Sequence, residues 1–324
     1  MAPAVRACWL LLWCLALEAS AELPGYHAEP GLRGDISSVG SDTLAGLMTL
    51  WAERFRELQP GVNIQVQAGG SATAPPALAE GVSTIGPMSR GMRAAELAVF
   101  EERFGYPPVQ VPLAIDAIAI LVHRDNPLAS ITLHELDRIF SANALCAGRR
   151  PLLRWAGLLP SPEASPLRAL PIQPVGRNAA SGTYGFFRQR VLCGGDYQSG
   201  MYELPGSASV VQAVAMDRRA IGYASVGFRN ASVRVVPVAT RQEAPVAPTR
   251  PAIIERRYPL ARTLFAYINK APGRELPQPE RAFLDFVLSA SGQSQVPAQG
   301  YLPLPEALVD ATRRSLGLDP GPQP

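Results

Sequence analysis

Arg177-Asn178-Ala179-Ala180-Ser181-Gly182-Thr183 stands directly ahead of a stretch with helical spacing, residues 184–192. A serine and a threonine bracketing a glycine at a helix start bring together hydroxyls, free N–H groups and partial positive charge, a natural seat for an anion. Glycine lets such a backbone approach a ligand closely. Arg177, four residues before Ser181, adds a charged donor fork. The pattern recurs. Ser41-Asp42-Thr43 follows Gly40, and Ser71-Ala72-Thr73 follows Gly69-Gly70, each ahead of another expected helix. A hydroxyl residue before a helix is also an ordinary N-cap. Three such turns with glycine, if they converge, would surround a small tetrahedral oxyanion with hydroxyls and amides.

Outward from these turns, strands and helices alternate. Leu44, Leu47, Met48, Trp51, Phe55 and Leu58 share one face of a helix over 44–58, which Pro60-Gly61 stops. Residues 62–67 alternate apolar and polar as a half-buried strand does. A short helix is expected at 74–80, with Pro75 and Pro76 in its first turn, where a missing N–H costs little. A strand at 82–86 and a helix at 94–104 follow. The apolar run 109–122, broken by Asp116, is long for one strand and is expected to pass from one lobe into another. Thr132 and Glu135 form a capping box for a helix through Phe140. Residues 147–174, rich in Pro, Arg and Gly, read as an irregular insertion. Helices are expected at 210–217, 279–288 and 306–316, strands at 220–225, 233–238 and 264–268, and a Pro-rich loop at 241–251. Residues 22–33 and 318–324 read as loose ends. The alternation predicts an α/β class with largely parallel sheets.

The 324 residues (34.6 kDa) suffice for about two domains. With 30 basic and 27 acidic residues the net charge is +3, too balanced for a nucleic-acid or membrane-surface protein. Lys270 is the sole lysine, so every other of these cations is an arginine, a fork suited to oxyanions; a GC-rich genome accounts for most of them. Residues 1–21 read as an export signal: Arg6, an apolar stretch over 9–17, and Ala19-Ser20-Ala21 for cleavage. Bulky Trp13 before Cys14 argues against a lipoprotein cysteine. Cys8 and Cys14 leave with the signal, and Cys146 and Cys193 remain in an oxidising compartment, where one disulfide is expected. There is no C-x-x-C for a redox or zinc site, and three histidines (His27, His123, His134) are poor material for a metal centre. G-x-x-x-x-G-K, G-x-G-x-x-G, G-x-S-x-G and H-E-x-x-H are all absent.

From Ser37 to Leu316 the chain resembles the PstS-like phosphate-binding proteins of bacterial phosphate ABC transporters. The resemblance rests on Gly40-Ser41-Asp42-Thr43-Leu44, Gly69-Gly70-Ser71, Ile85-Gly86-Pro87-Met88-Ser89-Arg90 and Arg177-Asn178-Ala179-Ala180-Ser181-Gly182-Thr183. Ala220-Ile221-Gly222-Tyr223 and Tyr258-Pro259-Leu260 also match. It implies a two-lobed type II periplasmic-binding-protein fold, with 22–116 plus 258–324 as one lobe, 117–257 as the other, and phosphate in the cleft between them. Thr43, the Leu44 amide, Ser71, Ser89 and Arg90 would reach the ligand from one lobe, and Arg177, Ser181, Gly182 and Thr183 from the other. Members carry an aspartate where Arg90 stands; it accepts the proton of bound phosphate. Asp42 or Asp116 would have to replace that acceptor here. Ala179 stands where members often carry an acidic residue beside the arginine. The implied protein is an exported periplasmic monomer, without cofactor or enzymatic activity, that delivers inorganic phosphate to an ABC permease. The alternatives are a binder of another oxyanion (sulfate, molybdate, a phosphate ester) and a phosphatase on the same fold.

Overall fold

The computed structural model describes residues 23–148, 150–159, 166–240 and 243–318. The expected export signal, with Cys8 and Cys14, lies outside them. The chain opens with β1 (Gly34–Val39), α1 (Ala45–Leu58), β2 (Val62–Gln67), α2 (Ala74–Ala79), β3 (Ile85–Met88), α3 (Ala94–Phe104) and β4 (Val109–His123). It continues through β5 (Ile131–Thr132), α4 (Leu133–Phe140), β6 (Gln173–Arg177), α5 (Gly182–Val191), β7 (Tyr202–Leu204), α6 (Ser207–Met216), β8 (Ala220–Ser225), β9 (Val233–Val236), β10 (Val238–Ala239) and α7 (Arg250–Ile254). It returns along β11 (Ala261–Ile268) and ends with α8 (Gln278–Val287), α9 (Ala290–Gln293) and α10 (Glu306–Leu316).

One curled sheet, in the order β2-β1-β3-β11-β4-β8-β6-β7, runs through the molecule, and β9 also pairs with β4. The strand β4 is the shared element. Its first half pairs with β11 (Asp116 opposite Arg262, Ala117 opposite Ala261) and its second half with β8 and β9. Val111, Leu113 and Ala114 belong to one apolar core, with Ile36, Leu47, Trp51, Phe55 and Phe286. Ala117 through Val122 belong to a second core, with Trp155, Phe187, Val210, Tyr223, Tyr258 and Leu260. The apolar run breaks at Asp116 because that is where the strand leaves one core for the other. Each core holds one fully buried tryptophan, Trp51 and Trp155.

The sheet is mixed rather than largely parallel. The pairs β1–β2, β1–β3, β6–β7 and β6–β8 are parallel, whereas β3–β11, β11–β4, β4–β8 and β4–β9 are antiparallel. The chain crosses on β4 and returns on β11 beside it, and an outbound and a returning strand in contact run in opposite directions. The strand expected at 82–86 lies at Ile85–Met88, because Val82 is exposed in a turn and the Ser83 hydroxyl, bound by Val39 N–H, donates to the Ile85 carbonyl. The Pro-rich stretch expected as loop to 251 already enters α7 at Arg250, capped by Thr249. Nor are residues 23–33 loose: Leu32 is buried and Tyr26 packs on Phe55 and Phe286 at 5.8 and 5.6 Å. Leu318 is likewise buried. The described residues between 147 and 172 are irregular, carrying short 3-10 turns at Trp155–Gly157 and Pro166–Ala169, while Gln173 and Pro174, expected in the same insertion, already belong to β6. Cys146 and Cys193 form a disulfide, with Cα atoms 5.5 Å apart, that ties this region to the end of α5.

Candidate anion-binding site between the two cores

The three triplets meet where the two cores face each other, and only one of them is an ordinary cap. Ser181 caps α5, its Oγ accepting from Thr183 N–H at 3.1 Å. No side chain caps α1, whose N-cap residue is Leu44, or the 3-10 turn at Ser71–Thr73. Thr43 and Ser71 instead turn toward the second core. The Thr43 and Thr183 hydroxyls lie 3.1 Å apart, although 140 residues separate them in sequence. The Ser71 hydroxyl accepts from Ser89 N–H at 3.0 Å and lies 3.3 Å from the Ser89 hydroxyl. All four side chains are buried.

Glycines permit this approach. A Cβ on Gly182 would stand 2.3 Å from Ser71 Oγ and 2.4 Å from Ser89 Oγ, so a side chain there would fill the space in front of both hydroxyls. Gly70 has φ +109, and its missing Cβ would meet the Ala180 carbonyl at 2.6 Å. That carbonyl accepts from Ala72 N–H at 3.0 Å, a backbone bond across the seam. Gly40 lies against the Pro87 carbonyl, which accepts from Ser41 N–H at 2.8 Å and fixes the turn that carries Asp42 and Thr43.

Arg177 is wholly buried at the end of β6. Its guanidinium donates to the Ser207 hydroxyl (3.2 Å), the Pro205 carbonyl (2.8 Å) and Asp42 Oδ2. Its own N–H donates to the Tyr223 hydroxyl (3.3 Å), which donates onward to Tyr197 (3.0 Å). Burial pushes the Tyr223 phenol well above its ordinary range and keeps it neutral. The Asp42–Arg177 pair spans the seam. The other carboxylate oxygen, Asp42 Oδ1, is buried and has no hydrogen-bond partner among the described residues. A buried acceptor without a donor is costly unless a ligand supplies one.

The Arg90 side chain lies against Gly185 of α5, and its guanidinium is engaged by Glu96. Its two Nη atoms donate to the two carboxylate oxygens of Glu96, each at 2.7 Å, and Nη1 also donates to the Gly91 carbonyl at 2.9 Å. Glu96 is the third residue of α3, where a carboxylate closes the helix start, and it accepts Arg93 N–H as well. Burial works to raise the Glu96 carboxyl, but the hydrogen bonds from Arg90 and Arg93 outweigh it and hold it at about 2.

Arg262 and its partners complete the cluster, and no glycine–hydroxyl turn marks the arginine in the sequence. It lies two residues beyond Tyr258-Pro259-Leu260 and pairs with Asp116, both side chains being buried. Tyr301 donates to the Thr43 carbonyl at 2.6 Å; burial, with the Asp116 charge nearby, pushes its phenol far up. Only the register of β11 against β4 brings Arg262 to this point, a fact no local motif carries.

A curled mixed sheet with two cores, and a seam between them lined by hydroxyls and arginine, defines the class: a two-lobed binding protein. A family model described as PBP superfamily domain matches residues 26–291. The phosphate-binding protein PstS of Pseudomonas aeruginosa is 46% identical over 297 residues, covering 91% of each chain. The chain belongs to this PstS family. Protein SphX of Synechococcus elongatus is 26% identical over 96% of this chain and 90% of its own. Among solved structures, a Clostridium perfringens chain described as a phosphate ABC transporter substrate-binding protein with bound phosphate matches at TM-score 0.69. It is 26% identical and covers 84% of this chain and 100% of its own. A phosphate transport receptor of Vibrio cholerae, 22% identical over 83% of this chain and all of its own, has the same fold at TM-score 0.65.

Proposed function

We propose that this chain captures inorganic phosphate between its lobes and delivers it to the membrane subunits of an ABC permease, acting as a monomeric, exported, periplasmic binding protein without catalysis or cofactor. One observation carries the reading: Thr43, Ser71, Ser89, Arg177 and the Ser181-Gly182-Thr183 helix start, drawn from both sides of the seam, form one buried donor cluster. In this reading Thr43, Leu44 N–H, Ser71 and Ser89 hold the anion from one lobe, and Arg177, Ser181, Gly182 and Thr183 from the other. Arg90, engaged with Glu96, orders the Ser89 turn instead of touching the ligand. Among the described residues no helix is long and apolar enough to cross a membrane.

The lobes are proposed as 22–116 plus 258–324, and 117–257. The passage of β4 between cores at Asp116 supports the first division. Tyr258 and Leu260, packed in the second core, favour moving the return to about residue 261.

Phosphate is favoured over fully ionised sulfate by the unpartnered Asp42 Oδ1, since phosphate has a proton to donate and sulfate has none. Calorimetry on protein stripped of anions should show one phosphate per chain. Arg177→Ala should weaken binding by about 1.5–3 kcal/mol, the worth of a charge-assisted bond in a desolvated site. Phosphate-ester turnover that vanishes with Arg177→Ala would replace this reading by the phosphatase.

A further inference from the structure

We propose that Arg262 is a positioning residue of the anion site: anchored where the chain crosses between lobes, it makes the Thr183 hydroxyl a dedicated donor. The inference rests on the phosphate reading and deepens it.

The anchor is rigid. Arg262 Nε and Nη2 donate to Asp116 Oδ2 at 2.9 and 2.7 Å, and the two residues are register partners on β11 and β4. Asp116 Oδ1 accepts from the Ser225 hydroxyl at 2.7 Å, so both oxygens of the carboxylate are held. The Phe186 ring lies 5.6 Å from the guanidinium carbon. A guanidinium in this grip has little freedom to swing.

What it holds comes from both sides of the seam. Nη1 donates to the Ser89 carbonyl at 2.9 Å, and Nη2 donates to Thr183 Oγ1 at 2.9 Å. A guanidinium can only donate, whereas a hydroxyl has one hydrogen and two lone pairs. Arg262 therefore occupies a lone pair of Thr183 and leaves its hydrogen to go elsewhere. In this structure the neighbour in reach is Thr43 Oγ1 at 3.1 Å. When an anion enters, that hydrogen points at it. The Thr183 corner is thereby set to receive an unprotonated oxygen, while Asp42 Oδ1 is the acceptor left for the proton of the ligand. Because Asp116 offsets the charge of Arg262, the pair contributes donor direction without adding net charge. Ser89 and Thr183 are brought to the same guanidinium only when the lobes meet, so these two bonds also favour the closed form.

A double-mutant cycle read by phosphate calorimetry tests this. Arg262→Lys keeps the charge but cannot serve three acceptors in one plane, and it should weaken phosphate about 10- to 100-fold. In a Thr183→Val background the same change should cost less than about threefold, because the hydroxyl it acts through is gone. In a Thr183→Ser background, which keeps the hydroxyl, the full effect should return. Should Arg262→Lys fail to fold, Asp116→Asn, which loosens the anchor and keeps the guanidinium, enters the cycle in its place with the same dependence on Thr183. Additive effects of the two sites, or wild-type affinity in the anchor variants, overturn the inference while leaving phosphate binding intact. A wild-type protein that binds no phosphate overturns the function and this inference together.

Discussion

Asp42 shows how one side chain carries two roles. Its Oδ2 is bound to Arg177, while Oδ1 is buried without a donor. Asp42→Asn should therefore admit sulfate as a competitor, because the amide can turn a donor toward an oxygen that has no proton to offer. A site that rejects an isostere by leaving polar groups unpaired discriminates by several orders of magnitude. Competition calorimetry at pH 7 checks it, and a variant that still excludes sulfate would strip Asp42 of the role. Glu96 supplies a pH prediction. Its carboxyl lies at about 2 in the fold against 4.5 ordinarily, so its contribution is complete above about 4.5 and is lost as pH falls toward 2. Wild type should lose on the order of 1 kcal/mol across that window, which Glu96→Gln, already less stable at neutral pH, does not. Thermal melts of both between pH 7 and 2.5 make the comparison. Thr43, Ser71 and Arg177 stand out in the sequence as candidates because turn glycines and helix-start hydroxyls mark them or their neighbours locally, whereas only the family motif points to Ser89. The family motif offered Arg90 as a further ligand residue, and its guanidinium is held by Glu96, six residues ahead at the third position of α3.

At the scale of an element, the start of α5 joins an ordinary cap to a buried row of donors facing the seam, and Gly182 is what lets the other lobe close on it. Gly182→Ala should leave the fold intact, since helices accept alanine readily. Its Cβ, 2.3 Å from Ser71 Oγ, should nevertheless wedge the seam and reduce phosphate affinity at least about tenfold, by the strain of overpacking. The disulfide acts at the other end of the same helix. Replacing Cys146 and Cys193 by serine opens a loop with a sequence separation of 47 and should lower stability by about 4 kcal/mol on the chain-entropy estimate. Urea unfolding of the double variant measures it. The helix α1, with its clean apolar face, was legible nearly to the residue. The strand β1 was not, because Gly-Asp-Ile-Ser-Ser-Val has little strand propensity of its own and is held by parallel pairing with β2. The mixed strand directions were equally hidden, since they follow from where the chain crosses and returns rather than from any local run.

At the scale of the whole molecule, bonds such as Thr43–Thr183, Asp42–Arg177 and Ala72–Ala180 cross the seam, so the structure is that of lobes drawn together. A ligand gripped from both sides should shift the population toward this form. Small-angle scattering should show a smaller radius of gyration with phosphate than in stripped protein, and a smaller contraction for Gly182→Ala. The two-lobed fold was legible through the family motifs, and the change of core along β4 falls at the Asp116 that interrupts its apolar run. The strand β4 is common to both cores, so the loss of one core removes a wall of the other. The placement of Trp51 and Trp155, one sealed in each core, gives this coupling an optical signature. Beyond residue 22 these are the only indoles in the chain, so Trp155→Phe leaves a fluorophore that reports the first core alone, and Trp51→Phe one that reports the second. Emission from the two variants, each referred to its own far-ultraviolet dichroism curve, distinguishes a molecule that melts as one body from one whose lobes part company before they unfold.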